Sequence, residues 1–141
     1  MREYFIPSTI SLIVFLLVSL YIGLTGLGFE YEKLILGGLD DDTLLIFMLI
    51  LSYIPAFFAG LLSPIFVRGF RLAFKTAFIS SVISLILGVL LSVLIGFLLG
   101  LDSIYGFALW VAITAPLYFF VGISSILIGY IVLLIMIILS R

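Results

Sequence analysis

Charge in this sequence is confined to a few short stretches, and the long intervals between them carry none. The six basic residues stand at positions 2, 33, 68, 71, 75 and 141, and the seven acidic ones at 3, 30, 32, 40, 41, 42 and 102. Between them lie runs of Leu, Ile, Val, Phe, Gly and Ser long enough to cross ~30 Å of hydrocarbon as helices, which takes about 20 residues. A water-soluble globule is roughly 45 to 50% apolar with about 25% of its residues charged; these 141 residues are 66% hydrophobic and 9% charged. The apolar/polar alternation of an outer-membrane strand is absent, so helices are the form in which such runs satisfy their backbone. The expectation is an all-α fold: one integral membrane domain over residues 1–141, a polytopic helical bundle with four transmembrane spans at about 8–27, 43–67, 72–101 and 115–139.

Span one follows Arg2 and Glu3. A charged start before an apolar run is also how a signal peptide begins, but this run is longer than the usual 7 to 15 residues and no A-x-A-like site follows. Gly23, Thr25, Gly26 and Gly28 mark its end. The loop 29–42 is acidic, with Glu30, Glu32, Asp40, Asp41 and Asp42 against Lys33. Clustered carboxylates suit hard cations, yet the spacing lacks the D-x-D-x-D-G pattern of a calcium loop. An Asp that caps the helix starting near Thr43, with its neighbours at the positive helix end, accounts for the cluster. Span two carries Pro55 and Pro64, each of which removes a backbone bond and is expected to kink or break the helix.

Arg68, Arg71 and Lys75 share one helical face by their spacing, with Phe66, Phe70, Phe74 and Phe78 on an adjacent face. This pattern places Phe in the membrane surface and the three cations toward lipid headgroups. By the positive-inside rule the basic segment 68–75 is cytoplasmic, the acidic loop 29–42 is external and both termini are cytoplasmic. From Ser103 to Ser140 no charge appears, and 38 residues would make a helix of ~57 Å, too long for one crossing. The expected break is at Thr114-Ala115-Pro116, with Thr114 as cap and Pro116 in the first turn of span four. Residues 103–114, with Tyr105 and Trp110, are then expected in the outer interface or re-entering slightly; the alternative is a hairpin near Gly122–Ser125, five spans and an external C-terminus.

Span three holds a row in which every fourth residue is small: Thr76, Ser80, Ser84, Gly88, Ser92, Gly96 and Gly100. In lipid, helices are held by close packing and interhelical hydrogen bonds, and a small-xxx-small row permits both. The row is expected to pack helices, with the lining of a polar pathway as its other reading. Gly122, Ser125 and Gly129 form a second row able to meet it.

Chemistry is narrowed by what is missing. With no Cys and no His, the commonest nucleophile, general base and metal ligands are gone, and no ionisable residue falls inside a span, where one would signal a proton or ion pathway. No cofactor is expected and catalysis is not. Three clustered cations and a net charge of −1 give no basic field for nucleic acid. The expected function is that of a structural or assembly subunit in the cell membrane, bound by membrane lipids and by copies of itself or other membrane subunits. The alternative is an oligomeric channel for a small neutral solute, lined by Ser and Thr of span three. Absence of Asn, Gln and Cys together is also what growth at high temperature selects, which points to a thermophilic source.

Overall fold

The computed structural model describes residues 2–38 and 41–140, with side chains from Phe5 onward. All regular structure among the described residues is helical: α1 (Arg2–Thr25), α2 (Gly28–Ile35), α3 (Asp42–Phe66), α4 (Phe70–Leu99), α5 (Ile104–Ile113) and α6 (Ala115–Leu139). Four of these, α1, α3, α4 and α6, are long and apolar enough to cross a membrane. Two of the six elements were not expected. The first half of the segment 29–42 belongs to the short helix α2, and most of 103–114 forms α5.

Local chemistry sets most of the ends. The Asp41 carboxylate accepts from the backbone N–H of Thr43 and Leu44, at 3.1 and 3.2 Å, and so caps α3; its neighbour Asp40 lies outside the described residues. Gly100 takes a left-handed conformation, φ 70°, and closes α4, while Leu101 N–H returns to the Gly96 carbonyl. A left-handed residue at this position is the usual glycine stop. The connection from α3 to α4 turns through Gly69, φ 90°. Pro55 and Pro64 stay inside one assigned helix and do not divide it. Each removes a single donor, and both are buried in helix contacts that hold the chain on either side.

Side-chain pairs fix the directions. Ser8 pairs with Ser80 and Ser19 with Ser92, so α1 and α4 run parallel. Ser11 reaches the Pro55 carbonyl and Tyr21 packs edge-on to Phe47, so α3 runs opposite to both. Gly60 sits against Gly122 and Ser125, and Pro64 against Gly129, which makes α6 parallel to α3. The central helices α3 and α4 each pack on both α1 and α6, which occupy opposite corners.

The fourth position of the bundle is filled by two helices in succession. α5 starts at the acidic end, where Ser103 donates to the carbonyls of Ile22 and Gly23, and packs on α4, α1 and α2. α6 takes over near the level of Ser84, which meets Tyr118, and continues to the basic end. Between them Thr114 leaves the helical path, φ −97° and ψ 26°. Its hydroxyl does not cap α6 but turns back to the Trp110 carbonyl at 2.8 Å. Pro116, in the first turn of α6, has no N–H for the Ala112 carbonyl, so the break falls where a helical bond is already missing. α6 then runs unbroken through Gly122 and Ser125, which excludes a hairpin there.

α5 packs one face inward, with Phe107 and Val111 fully buried, and leaves Leu109 and Ile113 exposed on the other. Gly28 and Gly106 let α2 cross it closely: a Cβ on Gly28 would overlap the Ser103 carbonyl, and one on Gly106 the Gly28 carbonyl. The row Gly122, Ser125, Gly129 faces α3 more than α4; it meets Gly60, Leu61 and Pro64, with Ser81 of α4 touching Gly122 alone.

A methyl group at Gly60 or Gly122 has no room, so Gly60→Ala and Gly122→Ala are each expected to destabilise the fold by about 1–3 kcal/mol. Ser124→Ala, at an exposed hydroxyl bonded to its own helix, should stay within about 0.5 kcal/mol. Thermal unfolding in one detergent compares the three; a Gly60→Ala melting point equal to that of Ser124→Ala would argue against the α3–α6 contact, and an equal one for Gly122→Ala against the close approach of Ser81 of α4 to α6.

Candidate functional site

The buried polar side chains of the described residues are mainly hydroxyls, and the largest group of them gathers at the seam where α4 meets α1 and α6. Of the small row on α4, Thr76, Ser80, Ser84, Gly88, Ser92 and Gly96 are all buried inside the chain. Gly100 is not part of this contact: it is exposed, left-handed and ends the helix. Ser80 accepts from Ser8 at 3.2 Å, Ser92 and Ser19 lie 2.6 Å apart, and Ser84 and Tyr118 lie 2.7 Å apart. At Gly88 the Phe15 ring replaces a side chain; a Cβ would stand 2.6 Å from it. Tyr105 covers Gly96 in the same way.

The α1 half of the seam was legible but unread. Ser8, Ser11, Phe15, Ser19 and Ile22 recur at helical spacing and are all buried, so the face turned to α4 is written in the sequence of α1 as well. Tyr118 had no such signal, being one aromatic residue among several.

A second polar cluster lies at the acidic end. Tyr31 of α2 inserts its phenol between helices and donates to the Met48 carbonyl. Ser52 stands 2.9 Å from the Tyr31 oxygen and 2.7 Å from the Met48 carbonyl, and its single proton goes to one of them. Phe107 packs edge-on to the Tyr31 ring. Burial pushes the Tyr31 phenol above its ordinary value, since the charged form would lose its water, while the Ser52 bond acts weakly the other way. Tyr31 is thus a neutral anchor at any physiological pH.

The remaining residues singled out by sequence divide cleanly. Arg68, Arg71 and Lys75 are exposed at the basic end. Pro55 is buried where Ser11 bonds its carbonyl, Pro64 faces Gly129, and Pro116 is exposed at the α5–α6 break. Glu30 and Lys33 form an exposed pair at 3.3 Å. Among the described residues no three acidic side chains gather as a metal site would require.

What the seam can do follows from its chemistry. Hydroxyls paired with hydroxyls and carbonyls bind helices together, and none has a base beside it to make it a nucleophile. Two buried hydroxyls, Thr76 Oγ1 and Ser81 Oγ, have no hydrogen-bond partner among the described residues, nor do Tyr53 Oη and Trp110 Nε1.

Two expectations test these clusters. Ser84→Ala and Tyr118→Phe in a double-mutant cycle should show a coupling of about 0.5–1.5 kcal/mol, read from unfolding in detergent; zero coupling would mean that the pair does not form. For Tyr31 the sign is set by its raised value. The folded state holds the proton more tightly, so the phenol's contribution is intact below the unfolded value of about 10 and is lost as pH climbs through the folded one. Melting temperature should therefore fall above about pH 10, and Tyr31→Phe should flatten that fall while costing roughly 1 kcal/mol at neutral pH.

No protein-family model matches this chain, and neither a curated protein nor a solved structure is significantly similar to it.

Proposed function

We propose that the chain is a multi-pass protein of the cell membrane and a non-catalytic structural subunit, which assembles there with other membrane subunits or with copies of itself. Four long apolar helices support insertion, and the separation of charge supports the orientation. Arg68, Arg71 and Lys75 gather at one end, whereas Glu30, Glu32, Asp41, Asp42 and Asp102 gather at the other. The basic end is cytoplasmic by the positive-inside rule, which puts both termini there.

The observation that carries the assembly reading is the far end of α6. Tyr130 stacks on Phe70, the first residue of α4, at 6.3 Å between ring centres, so Tyr130 marks the level at which α4 begins. From there α6 runs nine residues further to Leu139, which is ~13 Å of helix. Over Leu134–Leu139 every side chain is exposed and every one is apolar. Arg71 and Lys75 lie on α4 inward of that level. If the cations mark the headgroups, this rod stands past them, where only another apolar surface covers it. A partner subunit or a second copy supplies that surface.

A second reading, a facilitator for a small neutral solute, has one observation in its favour: the unpartnered hydroxyls of Thr76 and Ser81 in the seam. Such a path would require α1 or α6 to move off α4, because the rest of the row is already engaged inside the chain.

Native mass spectrometry of gently extracted protein addresses the assembly. A stoichiometric partner or defined oligomer is expected, and Ile135→Lys with Ile138→Lys, both on the exposed tail, should release it while the monomer still melts cooperatively. A monomer in both forms would sink the subunit reading. Ser84→Ala with Ser92→Ala decides the facilitator: swelling of liposomes in urea or glycerol should change if these hydroxyls line a path, and Gly88→Leu, driven into Phe15, should disrupt the fold in either case.

A further inference from the structure

An open groove of about 500 Å³ runs along the outside of the α1–α4 seam, walled by Phe5, Thr9 and Leu12 of α1 and by Ile79, Ile83 and Leu87 of α4. The α4 wall is a strict four-residue row, and one and two turns toward the basic end the same row continues as Lys75 and Arg71. Both cations are exposed. The result is an apolar channel about 12 Å long that leads to two positive charges. The carboxylates whose side chains are described all lie at the opposite end of the bundle, while Glu3, next to Arg2 in sequence, stands in the first turn of α1 at the basic end.

We infer that this groove holds one anionic phospholipid of the cytoplasmic leaflet, with an acyl chain between α1 and α4 and its phosphate at Lys75 and Arg71. The inference rests on the membrane reading above. A volume of this size is in the range of small-molecule sites, about 300–1,000 Å³, and apart from Ser8 and Thr9 of α1 its walls are long flexible side chains rather than the small residues that a packed helix needs. The small residues of the α4 row face the other way, into the seam. A second copy fits poorly for a further reason. Copies inserted in the same direction would bring Arg71 and Lys75 of one against those of the other, a like-charge contact, if the groove were their shared two-fold interface. An anion removes that repulsion, and a lipid brings the apolar chain with it.

Two preparations and two variants test this. Protein reconstituted in phosphatidylcholine vesicles, with or without a minor share of phosphatidylglycerol, is floated to establish insertion, then extracted and read by native mass spectrometry. Wild type should retain one phosphatidylglycerol per chain. Arg71→Gln with Lys75→Gln should weaken retention roughly thirty-fold, which is about 2 kcal/mol for two surface cations. Ile83→Trp, which fills the groove, should abolish it. Should Ile83→Trp melt abnormally, the exposed Arg71/Lys75 variant carries the test by itself. Retention unchanged in that variant, or absent in wild type, overturns the inference. So does a dimer that Ile83→Trp dissociates without regard to phosphatidylglycerol. Failure to float would defeat the membrane reading, and this inference with it; flotation without retained lipid defeats the inference alone.

Discussion

The structure depends on how closely α4 can approach its neighbours. Ser8 to Ser80, Ser19 to Ser92 and Ser84 to Tyr118 are hydroxyl-to-hydroxyl links of 3.2, 2.6 and 2.7 Å between helices, and the two serine pairs, with side chains this short, meet only if the backbones of α1 and α4 come close. The same nearness lets Phe15 occupy the notch at Gly88. In lipid the hydrophobic effect does not act between helices, and close packing with paired hydroxyls is what remains. The chain therefore buries hydroxyls and glycines alongside Phe15, Met48, Phe107 and Tyr118, and leaves most of its Leu and many of its Ile and Phe side chains on the outside.

A consequence of that tight core is that the bundle cannot accommodate a straight fourth rod. α6 lies against α3 only over the basic half, where Gly60 meets Gly122 and Pro64 meets Gly129. The acidic half of the same position is filled by α5, held from outside by α2 through Gly28, Gly106 and Tyr31. The break at Thr114 joins two packing problems with separate solutions, and α6, displaced toward the basic end, protrudes there. Interior break and exposed tail are one displacement seen at two places.

Much of this was readable one residue at a time. Uncharged runs disclosed the long helices because hydropathy is a property of the segment itself, and an Asp before Thr43 and Pro116 disclosed two helix starts because capping and a missing N–H are local; Gly100, expected in the packing row, is instead the left-handed stop of α4. Boundaries shifted where flanking chemistry was weak: α1 already begins at Arg2, and α4 starts at Phe70 and ends at Leu99. The depth of residues 103–114 was not readable. An apolar stretch with Tyr105 and Trp110 suits an interface or an interior equally, and what draws it inward is a crossing with Gly28, far away in sequence. For the same reason Gly122, Ser125 and Gly129 announced a contact without naming α3 as its partner. Tyr31, placed between two glutamates, looked like surface.

The order in which these parts leave the ribosome gives one of the hydrogen bonds a second meaning. α1 emerges long before α4, its main partner in the seam, since Ser19 and Ser92 are separated by 73 positions. A lone hydroxyl in hydrocarbon meanwhile would be costly. Ser19, however, also lies 2.9 Å from the carbonyl of Phe15 in its own helix and donates there without any partner. When α4 arrives, the Ser92 hydroxyl can donate to the oxygen of Ser19, and the first bond need not break. The helix made first is therefore satisfied while it waits, and its docking adds a bond rather than exchanging one.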